Sequence, residues 1–315
     1  MVEELRKATS SFKRFYDVKN LNIDYSKFFK NRVYPRFFMS LLYLHSKREY
    51  YYGVVNDCFC ILKKKMIGMP IVYLIVPPIN GDITKEKETI DYFNSLKIKT
   101  RLSDEDINLY DYTNVVANSK LDEYIYDVND VTGLVGNKYA EYRKYIRKFN
   151  ETVSRSINYM DFKSVQSAVS INANWEKYKK SRKNSCHVVD NTLRVFGASK
   201  NFVMTTLEHD NTMFGYDLSE SLDKNNVIIV TRYLDYNNEY LKKQMAMNYS
   251  ASYILHYETC KYWSGVGASN ANLGSSVGIK HLALSKQRLK PVKLLKMFEF
   301  DYTYKFTKEE WNAIC

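Results

Sequence analysis

The sequence predicts a mixed α/β chain of two lobes, and three observations carry that reading. Its 315 residues exceed one small domain and suit two of roughly 150 residues each. Short β-rich runs bounded by Pro, Gly, Asn and Asp alternate with segments of helical periodicity along the length. Neither a solenoid-length repeat nor a low-complexity tract interrupts them, so the chain is compact and not an array. Apolar residues at 45% and aromatics at 15% are ample for packed cores and argue against disorder.

Taken in order, Asp24 is placed to cap a helix containing Phe28 and Phe29. A second helix is expected over 35–45, with Phe38, Leu41 and Leu42 along one side. Segments 54–62 and 71–76 read as strands, separated by a basic turn at Lys63, Lys64 and Lys65 and closed by Pro77 and Pro78. A helix follows over 84–96, with Glu86 or Glu88 near its positive end. The lobe boundary falls in 122–136, where a strand-like Tyr124, Ile125 and Tyr126 run into Asp127, Asn129, Asp130 and Gly133. We divide the chain into lobes 1–130 and 131–315 on that basis.

The second lobe opens on the most informative helix, 137–151. Tyr139, Tyr142, Ile146 and Phe149 recur at spacings of three and four, which makes a buried stripe. Lys138, Arg143, Lys144, Arg147 and Lys148 occupy much of the rest, so one side packs and the other is cationic. A helix over 161–180 precedes the basic stretch 179–183. Strands are expected at 193–196, 202–207, 213–218 and 227–233, and a long helix over 238–260.

Forty-seven Lys and Arg against 35 Asp and Glu leave a formal +12, which favours a polyanionic partner such as tRNA, DNA or an anionic lipid surface. Simple solubility of a Lys-rich chain accounts for the same number. Cys58, Cys60, Cys186, Cys260 and Cys315 are odd in number and form no C-x-x-C pair, so neither a disulfide framework nor a zinc site is indicated. A reducing, cytoplasmic setting is expected. Cys58 and Cys60, two apart in an apolar run, are expected on one side of a strand as core. The N-terminus does not read as a secretory signal. The longest apolar run, 69–79, contains three prolines and is about half the length of a membrane span, so membrane contact would be peripheral. His45, His187, His209, His256 and His281 show no paired metal spacing. No G-x-S-x-G elbow or kinase set is present.

Two basic motifs stand out. Gly133 to Lys138 put flexible backbone before a helix start, where free N–H groups and the dipole favour an anion, although ordinary turn chemistry explains the same glycines. Gly136, Asn137, Lys138, Arg143 and Arg147 are the candidate binding residues there. The second motif is the window 259–298, which holds no Asp or Glu but contains Lys261, Lys280, Lys286, Arg288, Lys290, Lys293 and Lys296. Its partner is expected to be phosphate, with 264–278, including Asn270, Asn272 and Gly274, as a mobile loop at the same mouth. A basic amphipathic tail helix with Leu289, Val292, Leu295 and Met297 turned inward is compatible with that role. Asn272, Lys280, Lys286, Arg288 and Lys290 complete the candidates. No catalytic acid or base and no metal ligand is singled out.

The order of segments resembles a known family. Tyr34 to Leu44, then 51–62 and 73–78, is similar to the opening lobe of proteins related to the C-terminal, aminoacyl-transferring domain of lysylphosphatidylglycerol synthase. Leu134 to Tyr139 and Arg143 to Phe149 resemble that family's L-P-G-x-K-Y-x-x-x-R-N-x-I-x-K-F segment. Lys286 to Leu295 resembles its closing K-x-x-Y-x-P-v-x-L-L. Val135 stands for the usual Pro, Lys144 for an Asn and Leu289 for an aromatic, and 278–291 is longer than usual.

The resemblance implies two GNAT-like lobes, each a mixed, mainly antiparallel sheet flanked by helices, with a cleft between them. It implies an acyltransferase that passes an amino acid from aminoacyl-tRNA to an amine or hydroxyl, in characterised relatives a lipid head group. The chain lacks the Arg/Gln-x-x-Gly-x-Gly/Ala loop by which ordinary GNAT acetyltransferases cradle coenzyme A, so coenzyme A is disfavoured and no cofactor is expected. A composition rich in Lys, Asn, Tyr and Ile suits an AT-rich genome such as a phage's, which adds amino-acid transfer to DNA or a nucleotide as a variant. The alternative from another class is a nucleic-acid-binding GNAT-like module without catalysis. The cationic helix at Asn137 and the basic tail around Pro291 are expected to face one hollow.

Overall fold

The computed structural model describes residues 2–17, 21–45, 48–65, 71–150, 154–158, 162–179, 201–247, 250–301 and 307. The expected strand at 193–196, Cys186, His187 and Cys315 lie outside them. The first half supplies α1 (Val2–Thr9), β1 (Lys13–Arg14), α2 (Ser26–Phe29), α3 (Leu41–His45), β2 (Tyr50–Val55), β3 (Cys58–Lys65) and β4 (Ile71–Leu74). It continues with α4 (Ile83–Ser95), β5 (Lys99–Ser103), α5 (Asp104–Tyr110) and β6 (Val115–Ala117). Then come β7 (Glu123–Asp127), α6 (Val128–Gly133), α7 (Ala140–Asn150), β8 (Ser154–Asn158), α8 (Phe162–Lys179), β9 (Phe202–His209) and β10 (Thr212–Ser221). The chain ends with β11 (Asn226–Leu234), α9 (Glu239–Ala246), α10 (Ala251–Gly265), β12 (Asn270–Ser275), α11 (Lys280–Arg288), β13 (Lys293–Leu295) and β14 (Met297–Phe300).

These strands form two seven-stranded sheets, ordered β1-β2-β3-β4-β5-β14-β6 and β13-β7-β12-β11-β10-β9-β8. Each is antiparallel except for one step, β4 beside β5 and β11 beside β12. Parallel neighbours need a crossover, supplied by α4 in one sheet and by α9 and α10 in the other. The two halves therefore wind alike, and each lends the other a strand. β7 follows β6 in sequence but pairs between β12 and β13, whereas β14 follows β13 but pairs between β5 and β6. These are two GNAT-like lobes of mixed, mainly antiparallel sheet flanked by helices.

The lobes share a core. Phe15, Phe28, Met39, Leu44, Tyr50 and Ile75 of the first half pack with Phe202, Leu222, Ile228 and Val230 of the second. Beside it runs a buried ionic network. Arg32 donates to Asp106 at 2.6 Å and Glu86 at 3.2 Å, and Arg36 donates to Asp106 at 2.8 Å. Glu123, on the lent strand β7, accepts from Phe37 N at 3.0 Å and Asn272 Nδ2 at 2.7 Å, with Arg36 Nε 3.9 Å away.

Several elements depart from expectation for tertiary reasons. The helix expected over 35–45 is a 3-10 turn, Phe37–Met39, and then α3, broken at Ser40, whose backbone is extended. Glu220 of β10 accepts from Ser40 Oγ at 2.6 Å and Leu42 N at 3.2 Å, so a carboxylate of the other lobe serves as the cap of α3. The strand expected over 54–62 spans a hairpin turn, with Asn56 and Asp57 at φ 49° and 62°. Lys63 and Lys64 then pair with Tyr73 and Val72 as strand instead of forming a turn. Segment 238–260 is divided between α9 and α10. The loop expected over 264–278 contains β12, bonded to β11 and β7. Cys58 and Cys60 are buried core on β3, as their spacing implies, and Tyr139, Tyr142 and Phe149 form the buried side of the α7 region.

Candidate functional site: a cavity where two parallel strands part

β11 and β12 pair only at Asn226 with Asn270, Val227 with Ala271 and Ile228 with Asn272. Beyond that point β11 stays with β10 while β12 continues beside β7. Such a divergence leaves a wedge in the sheet with no strand to fill it. A cavity of about 640 Å³ opens there, lined by Ile229, Val230, Arg232 and Leu234 of β11, Leu273 of β12, Trp175 of α8, and Leu282, Ser285, Lys286 and Leu289 from α11 and its end. A hollow of about 580 Å³ adjoins it and shares Leu234, Tyr236, Ser252, His281, Ser285 and Leu289. It adds Glu141 and Tyr145 of α7, Tyr253 of α10 and Arg288 of α11. Both volumes suit a small ligand or the end of a larger one.

Lys286 is fixed at the wall. Its Nζ donates to the carbonyls of Leu273, Gly274 and Ser275, where β12 ends. Burial, and after it the Arg232 guanidinium, push the Lys286 amine down to about 7. Arg232 is itself clamped, donating through Nε and Nη2 to the two oxygens of Asp217 at 2.8 and 2.5 Å. Asp217 also accepts from Thr259 Oγ1 at 3.0 Å. His256 lies 3.4 Å from Arg232 Nη2, and burial with Arg232 holds its pKa well below the usual imidazole range, so it is neutral. Tyr126 and Tyr142 anchor α11 by donating to Lys286 O at 2.8 Å and Leu289 O at 3.1 Å. α10 begins at the hollow, and its N-cap Ser250 makes no side-chain cap bond. Backbone donors at such a start favour an anionic group.

The structure distributes the expected binding residues unevenly. Lys286 lines the cavity and Arg288 the adjoining hollow. Lys280 is exposed at the first residue of α11, and Lys290 is half-buried just past its end with φ 63°. On the other motif, Arg143 donates to the carbonyls of Leu134 and Gly136, and Lys138 pairs with Asp130 at 2.6 Å. Asn137 and Arg147 are exposed. α7 and α11 do border a common hollow, but α7 offers it Glu141 and Tyr145. That hollow lies at the divided sheet of the second lobe instead of between the lobes. Asn272 is fully buried, its amide donating to Pro35 O and Glu123, so it ties the lobes together. Arg232, Asp217, Ile229 and Leu234 were not singled out from the sequence. Their only trace there is the order strand, helix, strand, which implies a parallel pair able to part.

Among the described residues no group of three His, Cys, Asp or Glu is placed to hold a metal ion, and no helix is long and apolar enough to cross a membrane.

Doubly lobed winding with one parallel step in each sheet is a tandem GNAT-like fold. No family model matches the chain, and no curated protein matches it in sequence. Solved structures match it in fold. A conserved protein of unknown function from Bacteroides thetaiotaomicron is similar with TM-score 0.63 and 15% identity over 95% of this chain and 96% of that one. The L-PGS of Bacillus licheniformis is similar with TM-score 0.60 and 12% identity over 94% and 96%. FemX is similar with TM-score 0.59 and 9% identity over 94% and 99%. At these identities the likeness establishes the shared fold.

Proposed function

We propose that this protein is an aminoacyltransferase, which moves an aminoacyl group from an activated ester such as aminoacyl-tRNA to an amine or hydroxyl acceptor. The observation that carries the reading is the cavity at the parting of β11 and β12, with the fixed cations Arg232 and Lys286 in its wall. Attack of the acceptor on the ester carbonyl places negative charge on that oxygen, then expels the ribose hydroxyl. Fixed positive charge near the carbonyl stabilises the intermediate, and a confined cavity orients the reactants. Arg288 and the start of α10, in the adjoining hollow, suit the phosphate and ribose of the donor's terminal nucleotide. The fold likeness to L-PGS supports the same class.

Incubation with tRNAs bearing labelled amino acids, in the presence of lipid, nucleotide, DNA and peptide acceptors, tests the reading. Enzyme-dependent transfer of label that is slowed by about 10²–10³-fold in Lys286→Met is expected; intact ester in every combination would refute it. A second reading, a nucleic-acid-binding module without catalysis, is favoured by the net charge of +12 and the exposed Arg147 on α7. It requires salt-sensitive binding and no turnover.

A further inference from the structure

The composition of the cavity wall bears on which aminoacyl group is delivered, an inference that rests on the reading above. Ile229 and Leu234 of β11, Leu273 of β12, Leu282 of α11, Leu289 just beyond it and Trp175 of α8 close on the space from several sides. Its described Lys and Arg side chains are Arg232, held by two bonds to Asp217, and Lys286, held by three backbone carbonyls, and His281 also borders it. Among the described residues no carboxylate lines this cavity. Asp217 is fully buried behind the wall, with its oxygens committed to Arg232 and Thr259. Glu141 borders only the adjoining hollow, where it accepts from Tyr253 at 2.9 Å.

We infer that the aminoacyl group this cavity accepts has an uncharged, apolar side chain, of leucyl or phenylalanyl kind, and that a lysyl side chain is refused. An apolar side chain exchanges water for the leucine and isoleucine surface around it, and each buried methylene strengthens binding. An ammonium entering the same space loses its water, finds no counter-ion among the described residues of the wall, and meets a guanidinium that cannot turn away, with Lys286 as a second cation while it is protonated. Refusal is thus built into the wall, through like charge as much as through shape.

Stable amide mimics of the aminoacylated terminal adenosine test this directly. Four probes, 3′-amino-3′-deoxyadenosine carrying leucyl, phenylalanyl, norleucyl or lysyl, are titrated into the intact protein by calorimetry at neutral pH. Norleucyl and lysyl share a stem and differ by the terminal ammonium, so their ratio isolates charge. Lysyl is expected to bind weaker than norleucyl on the order of a hundred-fold. Leu282→Glu, at a half-buried wall position, and Ile279→Glu, at an exposed one, are expected to narrow the gap by strengthening lysyl. Lysyl binding as tight as norleucyl would overturn the inference and leave the aminoacyltransferase reading standing. Absence of binding by all four probes to folded protein would count against that reading, and the inference would fall with it.

Discussion

The two lobes wind alike yet differ at the starts of their crossover helices. In each, a strand of the single parallel step leads into the crossover that returns to its neighbour. In the first lobe the donors at the start of α4 are filled from within. Glu86 Oε1 accepts from Asn80 N and Gly81 N at 2.9 Å each, and Asp82 caps Thr84 N and Lys85 N. Ile75, Val76 and Ile79 bury the approach. In the second lobe α9 is likewise capped, Asn238 Oδ1 accepting from Leu241 N at 3.0 Å, but α10, the second crossover helix, starts at Ser250 without a side-chain cap, beside an open hollow. The helices after the parallel step differ as well. α5 begins with a capping box, Ser103 with Asp106, and Asp106 holds Arg32 and Arg36. α11 has no such cap and carries Lys286 to the cavity. One scaffold is thus a buttress whose helix starts are filled by its own carboxylates, and its twin leaves the starts of α10 and α11 without a side-chain cap.

Substitutions in each lobe should separate these roles. Arg32→Met leaves Asp106 and Glu86 buried without their shared partner, and should destabilise the fold by about 3–5 kcal/mol; urea denaturation measures it. Lys286→Met should leave stability less affected but slow transfer by about 10²–10³-fold, read by single-turnover kinetics. A fall confined to stability would make Lys286 a strut like its counterparts in the first lobe.

Glu220 sharpens the comparison at the junction. Burial raises its carboxyl to about 7, against the restraining bonds from Ser40 and Leu42. A raised carboxyl pKa means the folded state keeps its proton after the unfolded chain has lost one at about 4.3. Its contribution is therefore largest in acid and is lost as pH climbs towards 7, a decline of up to about 4 kcal/mol. Glu220→Gln should flatten that part of the stability profile, followed by denaturation at pH 5 and pH 8. Smallest of all, Lys138→Ala breaks an exposed pair with Asp130 and should cost less than about 1 kcal/mol in the same assay.

The sequence made local periodicity legible. The stripe through Tyr139, Tyr142 and Phe149, the strands of β9 to β11 and the core pair Cys58 and Cys60 all lie where spacing puts them. The exchange of β7 and β14 was not legible, because partners such as Glu123 and Leu295 are remote in sequence and leave no local period. β12 was read as a loop because Asn270, Asn272 and Gly274 look like turn residues. Their polar groups are satisfied by Asn226, Glu123 and Pro35 across the fold. Lys286 and Arg288, which line the cavity and the adjoining hollow, were singled out through the acid-free window. Arg232 was hidden in an apolar strand, and its meaning depends on Asp217 across the hairpin. Lys138 and Arg143 belonged to an equally basic motif, yet they serve Asp130 and two backbone carbonyls.

The central claim is that chemistry occurs where β11 and β12 part. Ser285 lies on the exposed side of α11 and lines both the cavity and the adjoining hollow. Ser285→Trp places an indole in that passage without disturbing the core. Release of labelled amino acid from aminoacyl-tRNA to acceptor should then fall to background while the melting temperature holds. Transfer at the unsubstituted rate with the passage filled would contradict the account.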